Sequence, residues 1–379
     1  MRGSQSDDQN PLCFVAGNLA FAIEVCADLK HAVLQAFRGM QSFEDHEVSV
    51  SFHVTRPDES GDPSWRLSGP NTPDYIFDDA HGLLDALVSA VNLTVLDSDP
   101  TALHLHAAAA SRGSEAVIVV GESGSGKTTL VACLAAAGWS YITDEMVRFF
   151  PGAPTVTGFA KPLSIRSSSL DLVAAADADL ARDVLLGATV QASPLELGFS
   201  LADEALPRVI LCTQVPFDDR RGAEPLAAQI APADAVVRMM SQTMDAERFG
   251  EAALEVLARL AARCDCYDLE VGEPDKMVAL VGKLADSAAR SDLAVEIVSG
   301  SGRIAEDVTT AFIGDGAAIW HSGSGKVIAL DAPGCLVWRA LVDMNGNAEV
   351  DLTAPVESQF VSQLESLGLL IKPSAQVPL

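Results

Sequence analysis

The first hundred residues contain stretches with two different hydrophobic periods. Residues 48–55 alternate apolar and polar side chains without a break, which is the period-two pattern of a strand with one buried face. Apolar residues recur at helical spacing over 81–93, and residues 29–37 also have a helical pattern. Residues 57–73 are rich in proline, glycine, aspartate and serine, which predicts a loop. We therefore expect a small α/β domain at 10–98.

The next part of the chain, 101–285, alternates between strand and helix patterns. The predicted strands lie at 116–120 and 208–214, and the predicted helices at 127–137 and 248–263. This alternation is typical of an α/β core in which helices cover a central sheet. Within it, residues 170–205 are rich in alanine, aspartate and leucine, which predicts helices on a flap.

The end of the chain predicts a small module of its own. Residues 286–302 are mostly small and polar, and we expect them to form a linker. The module then spans 303–372. Its strands are expected at 310–313, 317–320 and 326–330, followed by the segment 331–341 and a last helix that ends near residue 371.

Charge and cysteine content narrow the classes of partner. The chain has 52 acidic and 25 basic side chains, and its net charge of −27 excludes a general nucleic-acid coat, which needs a cationic surface. No apolar run approaches the ~18 residues of a membrane span. The seven cysteines are scattered through apolar stretches, which favours reduced thiols over a disulfide framework. We expect a cytoplasmic protein with neither nucleic-acid nor membrane partners.

Residues 121–128 match the phosphate-binding P-loop pattern in full, and they lie between an apolar strand and a helix. Lys127 is expected to bridge the β- and γ-phosphates of ATP, and the Thr128 hydroxyl to ligate Mg²⁺. The alternative is a Gly-Ser loop with an unrelated lysine, which the flanking strand and helix disfavour. The expected nucleotide-binding residues are Gly121, Glu122, Ser123, Gly124, Ser125, Gly126, Lys127, Thr128 and Thr129.

Two carboxylates follow the next predicted strand. Asp144 and Glu145 come directly after 141–143, at a strand end where ligands gather in α/β cores. One could hold Mg²⁺ while the other accepts a proton from an attacking hydroxyl. Alternatively, the pair caps a following helix. His106 lies upstream, two positions after His104, and could orient a carboxylate, although a strand histidine is more often structural.

Residues 103–149 resemble the HPr kinase/phosphorylase family and its HPr-kinase-related members. The resemblance covers the Leu-His-Leu-His stretch, the P-loop, and the Tyr-Ile-Thr-Asp-Glu segment after a Gly-Trp turn. It implies an HPr-kinase-like P-loop core in which Asp144 is the general base. Glu145 and His106 then lie around the metal and the base.

The related kinases also carry a Pro-x-Ser-x-basic segment, which matches 161–166 in this chain. The match implies that Arg166 or Lys161 lies near the transferred phosphate, although either could be an ordinary surface base. The chain departs from the family at Thr129, where a glutamate is usual, and it lacks a clear Glu-x-x-Gly-x-Gly segment. We therefore expect neither dephosphorylation nor HPr itself as the substrate.

The last module is similar to PqqD-like proteins, which are small winged-helix modules that recognise leader peptides of ribosomally made natural products. The Leu-Asp and Val-Trp spacing at 330–338 carries this similarity. Such a module binds its peptide by adding it as a strand to a sheet edge. The alternative is a generic winged helix used for dimer contacts, so a homo-oligomer stays open.

Together these features predict a kinase that phosphorylates a serine of a precursor peptide, as related kinases do in lasso-peptide pathways. ATP and Mg²⁺ are the expected cofactors, and the leader peptide is the expected partner. Two other functions remain open at this point. One is a regulatory kinase that acts on a folded protein, and the other is a nucleotide-gated binding protein without a phosphoryl acceptor.

Overall fold

The computed structural model describes residues 11–41, 47–56, 64–72, 75–166, 189–213, 223–289, 292–300, 303–343, 352 and 355–371. In these ranges the chain is a mixed α/β protein with sheets of five, eight, two and four strands. Among the helices of these ranges, none combines the length and apolar character that crossing a bilayer requires.

The N-terminal unit is a five-stranded sheet covered by two helices. Its elements are β1 (Leu12–Ala16), β2 (Leu19–Val25), α1 (Ala27–Ala36), β3 (Val50–Thr55), β4 (Trp65–Ser68), β5 (Tyr75–Phe77) and α2 (Ala80–Ser98). The strands follow the order β1-β2-β3-β4-β5, and only β2 and β3 run parallel. Strand β4 lies inside the predicted loop 57–73. It forms because Leu67 is buried in the core of the unit, opposite Val54 of β3.

The central unit is built on the eight-stranded sheet. Its first elements are β6 (Leu103–Arg112), β7 (Glu115–Gly121), α3 (Lys127–Ala136), β8 (Ser140–Thr143), β9 (Met146–Phe149), β10 (Val156–Thr157), β11 (Leu163–Arg166) and β12 (Thr189–Ala192). It continues with β13 (Glu204–Thr213), β14 (Leu226–Gln229), α4 (Pro232–Ser241), α5 (Ala246–Phe249), α6 (Glu251–Ala261), β15 (Asp265–Glu270) and α7 (Pro274–Ser287). The predicted alternation of strands and helices is confirmed.

The large sheet has the order β10-β9-β6-β7-β13-β15-β14, and β8 also pairs with β6. Strands β7, β13 and β15 run parallel, so their carboxyl ends lie at one edge. Helices α4 and α6 cover one face of the sheet, while α3 and α7 cover the other. Of the helical flap predicted at 170–205, residues 170–188 lie outside the described residues. The helical prediction is wrong for 189–192, because β12 pairs there with β11.

The C-terminal unit is an antiparallel sheet in the order β16-β17-β18-β19. Its elements are β16 (Val295–Ser299), β17 (Val308–Ile313), β18 (Gly316–His321), β19 (Lys326–Leu330), α8 (Ala332–Val342) and α9 (Pro355–Ser366). Strand β16 lies within 286–302, which the sequence predicted as a linker. It forms because Val295 and Ile297 pack against the apolar core beneath the sheet.

The C-terminal sheet is buried on both faces. Ala311, Ala318 and Trp320 belong to the apolar core that contains α4 and α6 of the central unit. Phe312 and Ile319 face the other way and pack with residues of α8 and α9. This unit therefore shares a continuous hydrophobic core with the central unit, because strand residues alternate between two covered faces.

Candidate active site

The P-loop connects the carboxyl end of β7 to the start of α3, and its shape requires glycine. Gly124 and Gly126 have φ angles of 84° and 93°, in the left-handed region that glycine adopts without strain. A Cβ atom on Gly121 would lie 2.3 Å from Thr213 Oγ1, at the end of the neighbouring strand β13. The loop therefore brings its backbone to the N-terminus of α3, where N–H groups favour an anion.

Lys127, the first residue of α3, is folded back over this loop. Its side chain is buried, and Nζ donates hydrogen bonds to the carbonyl oxygens of Gly121 (2.7 Å) and Glu122 (3.1 Å). Burial lowers the pKa of Lys127, while the charges of Glu145 and Asp144 oppose that shift. The ammonium group is thus held above the loop by neutral carbonyls, which leaves its charge available to a phosphate.

The remaining residues of the motif differ in how far their side chains are exposed to solvent. Ser125 is buried, and its hydroxyl is hydrogen-bonded to Thr213 Oγ1 at 2.8 Å, which ties the loop to β13. Glu122 and Ser123 are exposed, whereas Thr128 and Thr129 are half-buried in the first turn of α3. The structure therefore brings the predicted nucleotide-binding residues together around one helix N-terminus.

Asp144 lies in a buried cluster with Tyr141 and Lys161. Its Oδ1 accepts a hydrogen bond from the Tyr141 hydroxyl at 2.8 Å and is 2.9 Å from Lys161 Nζ. Lys161 is only 1% exposed and also donates to the Pro162 carbonyl, so the alternative of an ordinary surface base is wrong for it. The helix-capping alternative is also wrong, since strand β9 follows the pair at Met146. Burial and the adjacent Asp144 raise the pKa of Tyr141 well above its usual range.

Glu145 is the accessible member of the acidic pair. Its side chain is 38% exposed, whereas that of Asp144 is 1% exposed. Glu145 Oε1 is 3.6 Å from His106 Nε2, and Oε2 is 4.0 Å from Lys161 Nζ. Burial lowers the pKa of His106, and the positive charge of Lys127 adds to that shift. Burial therefore favours the neutral form of the His106 imidazole, which lies beside a partly exposed carboxylate at the edge of the P-loop site.

The predicted residues Lys127, Asp144, Glu145 and His106 lie close together, because the charges of Asp144 and Glu145 act on the pKa of both Lys127 and His106. Arg166 ends strand β11, but its side chain lies outside the described residues. Sequence reasoning missed Tyr141 altogether. The signal for it is a hydroxyl three residues before Asp144, in the predicted strand 141–143.

Comparison with known proteins identifies no family for this chain. No family model matches the chain, and no curated protein sequence matches it. A solved structure, the HPr(Ser) kinase/phosphatase from Coxiella burnetii, matches with 12% sequence identity over 48% of this chain and 88% of that chain, with a TM-score of 0.26. This similarity is too low to assign a fold or a function to the chain. The description of the P-loop site therefore depends on the geometry of this chain alone.

The oxygen donors near the P-loop fit a nucleotide-bound Mg²⁺ ion. Such an ion takes one or two protein oxygens and completes its shell with phosphates and water. Thr128 supplies a hydroxyl in the first turn of α3, and Glu145 supplies a partly exposed carboxylate that can either ligate the ion or accept a proton, but not both at once. No three His, Cys, Asp or Glu side chains of the described ranges form a metal cluster. The donor set therefore suits a metal that arrives with the nucleotide.

Proposed function

We propose that the protein is an ATP- and Mg²⁺-dependent phosphotransferase that phosphorylates a hydroxyl group, with serine as the first choice, of a precursor peptide captured through its leader. One observation carries the catalytic part of this proposal. A P-loop with a buried lysine at its helix N-terminus lies beside a partly exposed carboxylate and a histidine whose pKa is lowered by burial. Phosphoryl transfer needs such parts, because it depends on positioning and charge neutralisation.

The P-loop residues have a binding role in this proposal. The backbone N–H groups of the loop and the ammonium group of Lys127 hold the phosphates and compensate their charge. The hydroxyl of Thr128 is an oxygen ligand for Mg²⁺, which supplies charge neutralisation at the phosphates when bound. Among the described residues, Lys127 Nζ donates hydrogen bonds only to loop carbonyls, so its charge can serve a phosphate.

The geometry favours Glu145 as the proton acceptor, which reverses the assignment that the resemblance implies. A base must come within hydrogen-bond reach of the hydroxyl that it deprotonates. Asp144 is buried and its Oδ1 is occupied by Tyr141 and Lys161, whereas Glu145 is partly exposed beside His106. Asp144 then positions the turn that carries Glu145, and it does so through its two buried partners.

Peptide capture is assigned to the C-terminal unit, as a PqqD-like module would perform it. Strand β19 is the terminal strand of its sheet, and within the described residues it pairs only with β18. Its residues are mostly half-buried, and Leu336 of the adjacent helix α8 is 61% exposed. A terminal strand without a second strand partner among the described residues supports binding by strand addition. Because this sheet packs on α4 and α6, the bound leader would be held in a fixed relation to the P-loop unit.

The experiment is to incubate the full chain with Mg-ATP and a precursor peptide encoded beside its gene, and to measure the peptide by mass spectrometry. We expect the mass to rise by one phosphoryl group and the modification to map to a serine. Lys127→Ala should abolish the product, and Lys276→Ala, which changes an exposed surface lysine, should not. ATP binding without transfer to any peptide would instead favour the nucleotide-gated binding protein.

Leader recognition is tested by shortening the substrate, which leaves the enzyme intact. Removing the leader from the peptide should raise KM and leave kcat almost unchanged, since contacts far from the phosphate contribute equally in the ground and transition states. The leader added in trans should compete with the full peptide. Equal KM for the full and leaderless peptides would contradict the assigned role of the C-terminal unit.

A further inference from the structure

Thr213 ends strand β13, directly beside the end of β7 from which the P-loop starts. The two strands run parallel, and Thr213 lies opposite Gly121 in their register. Its side chain is only 2% exposed, whereas threonine is mostly exposed in folded proteins. Buried polar groups are kept where they have hydrogen-bond partners, so the partners of this hydroxyl indicate what it does.

The Thr213 hydroxyl has two partners, one in the strand before the P-loop and one in the loop itself. Its Oγ1 is 3.2 Å from the carbonyl oxygen of Val120 and 2.8 Å from Ser125 Oγ. A hydroxyl group donates one hydrogen bond and accepts two, so one side chain can serve both neighbours. Within the described residues, Thr213 is the partner of the buried Ser125 hydroxyl, which would be left unsatisfied without it.

The backbone of Gly121 packs against the same threonine. A Cβ atom on Gly121 would lie 2.3 Å from Thr213 Oγ1 and 2.4 Å from the Thr213 carbonyl oxygen, which is closer than a side chain allows. Gly121 also accepts a hydrogen bond from Lys127 Nζ on its own carbonyl oxygen. One side chain of β13 therefore contacts the first residue of the loop and is hydrogen-bonded to Ser125 near its end.

The middle of the loop is exposed. Glu122 and Ser123 face solvent, and the amide of Ser125 donates a hydrogen bond of 3.2 Å to the Glu122 carbonyl across the turn. A phosphate-binding loop must present its N–H groups in one arrangement, and ordering a flexible loop during binding lowers the affinity. Holding the loop near both ends before the nucleotide arrives reduces this cost.

We propose that Thr213 is a positioning residue for the nucleotide, and that its hydroxyl orders the P-loop in advance through Ser125 and so raises the affinity for Mg-ATP. The part of this inference that concerns nucleotide rests on the proposed function. The ordering of the loop does not, because the contacts of Thr213 are made within the chain itself. The two parts can therefore fail separately.

The first measurement is amide hydrogen exchange by NMR on the full chain without nucleotide. Thr213→Val keeps the shape of the side chain but removes the hydroxyl, so the Ser125 amide should exchange at least about fivefold faster than in the wild type. Thr213→Ser keeps the hydroxyl and should retain slow exchange. Urea unfolding measures overall stability separately, so that a loosened loop is distinguished from a less stable fold.

The second measurement is the affinity for Mg-ATP by isothermal titration calorimetry. Thr213→Val should lower it about fivefold, and Thr213→Ser should stay within about twofold of the wild type. The transfer rate at saturating Mg-ATP should change little, because the loop is ordered in every nucleotide complex. A wild-type chain that binds no Mg-ATP would contradict the proposed function, and the exchange of the Ser125 amide would still decide the ordering role.

Thr309→Val is the matched control. Thr309 is a buried strand threonine of the C-terminal sheet whose hydroxyl oxygen is 3.3 Å from Ser299 Oγ, and its replacement should change neither measurement. If Thr213→Val does not fold, Ser125→Ala removes the same hydrogen bond from the loop side and should give the same faster exchange at position 125. The proposal is overturned if removing either hydroxyl leaves this exchange as slow as in the wild type, if Thr213→Ser loosens the loop as much as Thr213→Val, or if Thr213→Val leaves the affinity for Mg-ATP unchanged.

Discussion

Two buried lysines in the central unit have opposite surroundings. Lys127 at the P-loop is 6% exposed, and its hydrogen bonds go to backbone carbonyls of the loop. Lys161, in the segment between β10 and β11, is 1% exposed and lies 2.9 Å from the carboxylate of Asp144. Both side chains carry charge into a region of low solvent access, which is costly without partners.

The difference in partners distinguishes a charge that is free to bind a ligand, on Lys127, from a charge that serves the structure, on Lys161. Carbonyl dipoles stabilise the ammonium group of Lys127 without neutralising it, so it still attracts an anion. Lys161 is neutralised by a carboxylate, and neither partner can be removed without leaving the other as an isolated buried charge. The two lysines should therefore respond differently to substitution, the first in activity and the second in stability.

The largest effect is expected for Lys127→Ala. Removing this ammonium group should lower the rate of phosphoryl transfer by about 10³–10⁵-fold, because in the proposed reaction it compensates charge that develops on the phosphates. Stability should change little, since the carbonyl partners at Gly121 and Glu122 belong to a loop at the protein surface. The measurement is the single-turnover rate with Mg-ATP, and undiminished turnover would refute the P-loop kinase assignment.

The next effect separates the two acidic residues. Glu145→Gln keeps size and hydrogen bonding but removes the proton acceptor, so kcat should fall by about 10²–10⁴-fold with little change in Mg-ATP affinity. Asp144→Asn should act mainly on stability, because Asp144 pairs with buried Lys161. Rates, Mg-ATP affinity and urea unfolding are measured for both variants.

The opposite pattern of effects in these two variants would exchange the roles of Glu145 and Asp144. If Glu145→Gln abolishes Mg-ATP binding while Asp144→Asn lowers only kcat, Glu145 is a metal ligand and Asp144 is the base. That outcome would restore the assignment implied by the family resemblance, and it would require Asp144 to separate from Lys161 during turnover.

Lys161→Met tests the structural charge. It should destabilise the fold by about 3–5 kcal/mol at neutral pH, because the Asp144 carboxylate is left buried and uncompensated. Urea unfolding at neutral pH measures this loss.

Two further variants control that measurement. Lys276→Met removes an exposed lysine that pairs with Glu224 and Glu273, and it should change stability little. The double variant Lys161→Met with Asp144→Asn should recover part of the lost stability, because no isolated charge remains. A Lys161→Met protein as stable as the wild type at neutral pH would show that the ion pair does not hold the fold together.

The sequence was sufficient for features that depend on local pattern. The P-loop, its flanking strand and helix, and the three strands of the C-terminal sheet from 308 to 330 follow from short-range periodicity and glycine spacing. The same local reasoning placed Asp144 and Glu145 at a strand end. It could not show that the two neighbours differ in exposure, because Lys161, which buries one of them, lies on another segment of the chain.

Features that depend on distant packing were missed for the same reason. Strand β16 looked like a linker because its own sequence is short and partly polar, and it is stabilised by an apolar core from other units. The polar stretch around β4 was predicted as a loop, although Leu67 completes the core of the N-terminal unit. The alignment of His104, Arg148 and Thr157 across three strands depends on strand register, which no local pattern encodes.

The smallest effect is the pH dependence that His106 contributes to stability. Burial and Lys127 lower its pKa in the folded state below the ordinary value of 6.5. Between these two pKa values the unfolded chain binds more protons than the folded chain, so stability falls as the pH falls through this window. The slope is at most about 1.4 kcal/mol per pH unit for one group.

His106→Gln should flatten the curve of unfolding free energy against pH in this range. An equal slope in wild type and His106→Gln would show that His106 does not stay neutral in the folded protein. It would then meet Glu145 as a charged partner, and the lysine at the P-loop would not be setting the protonation of the site.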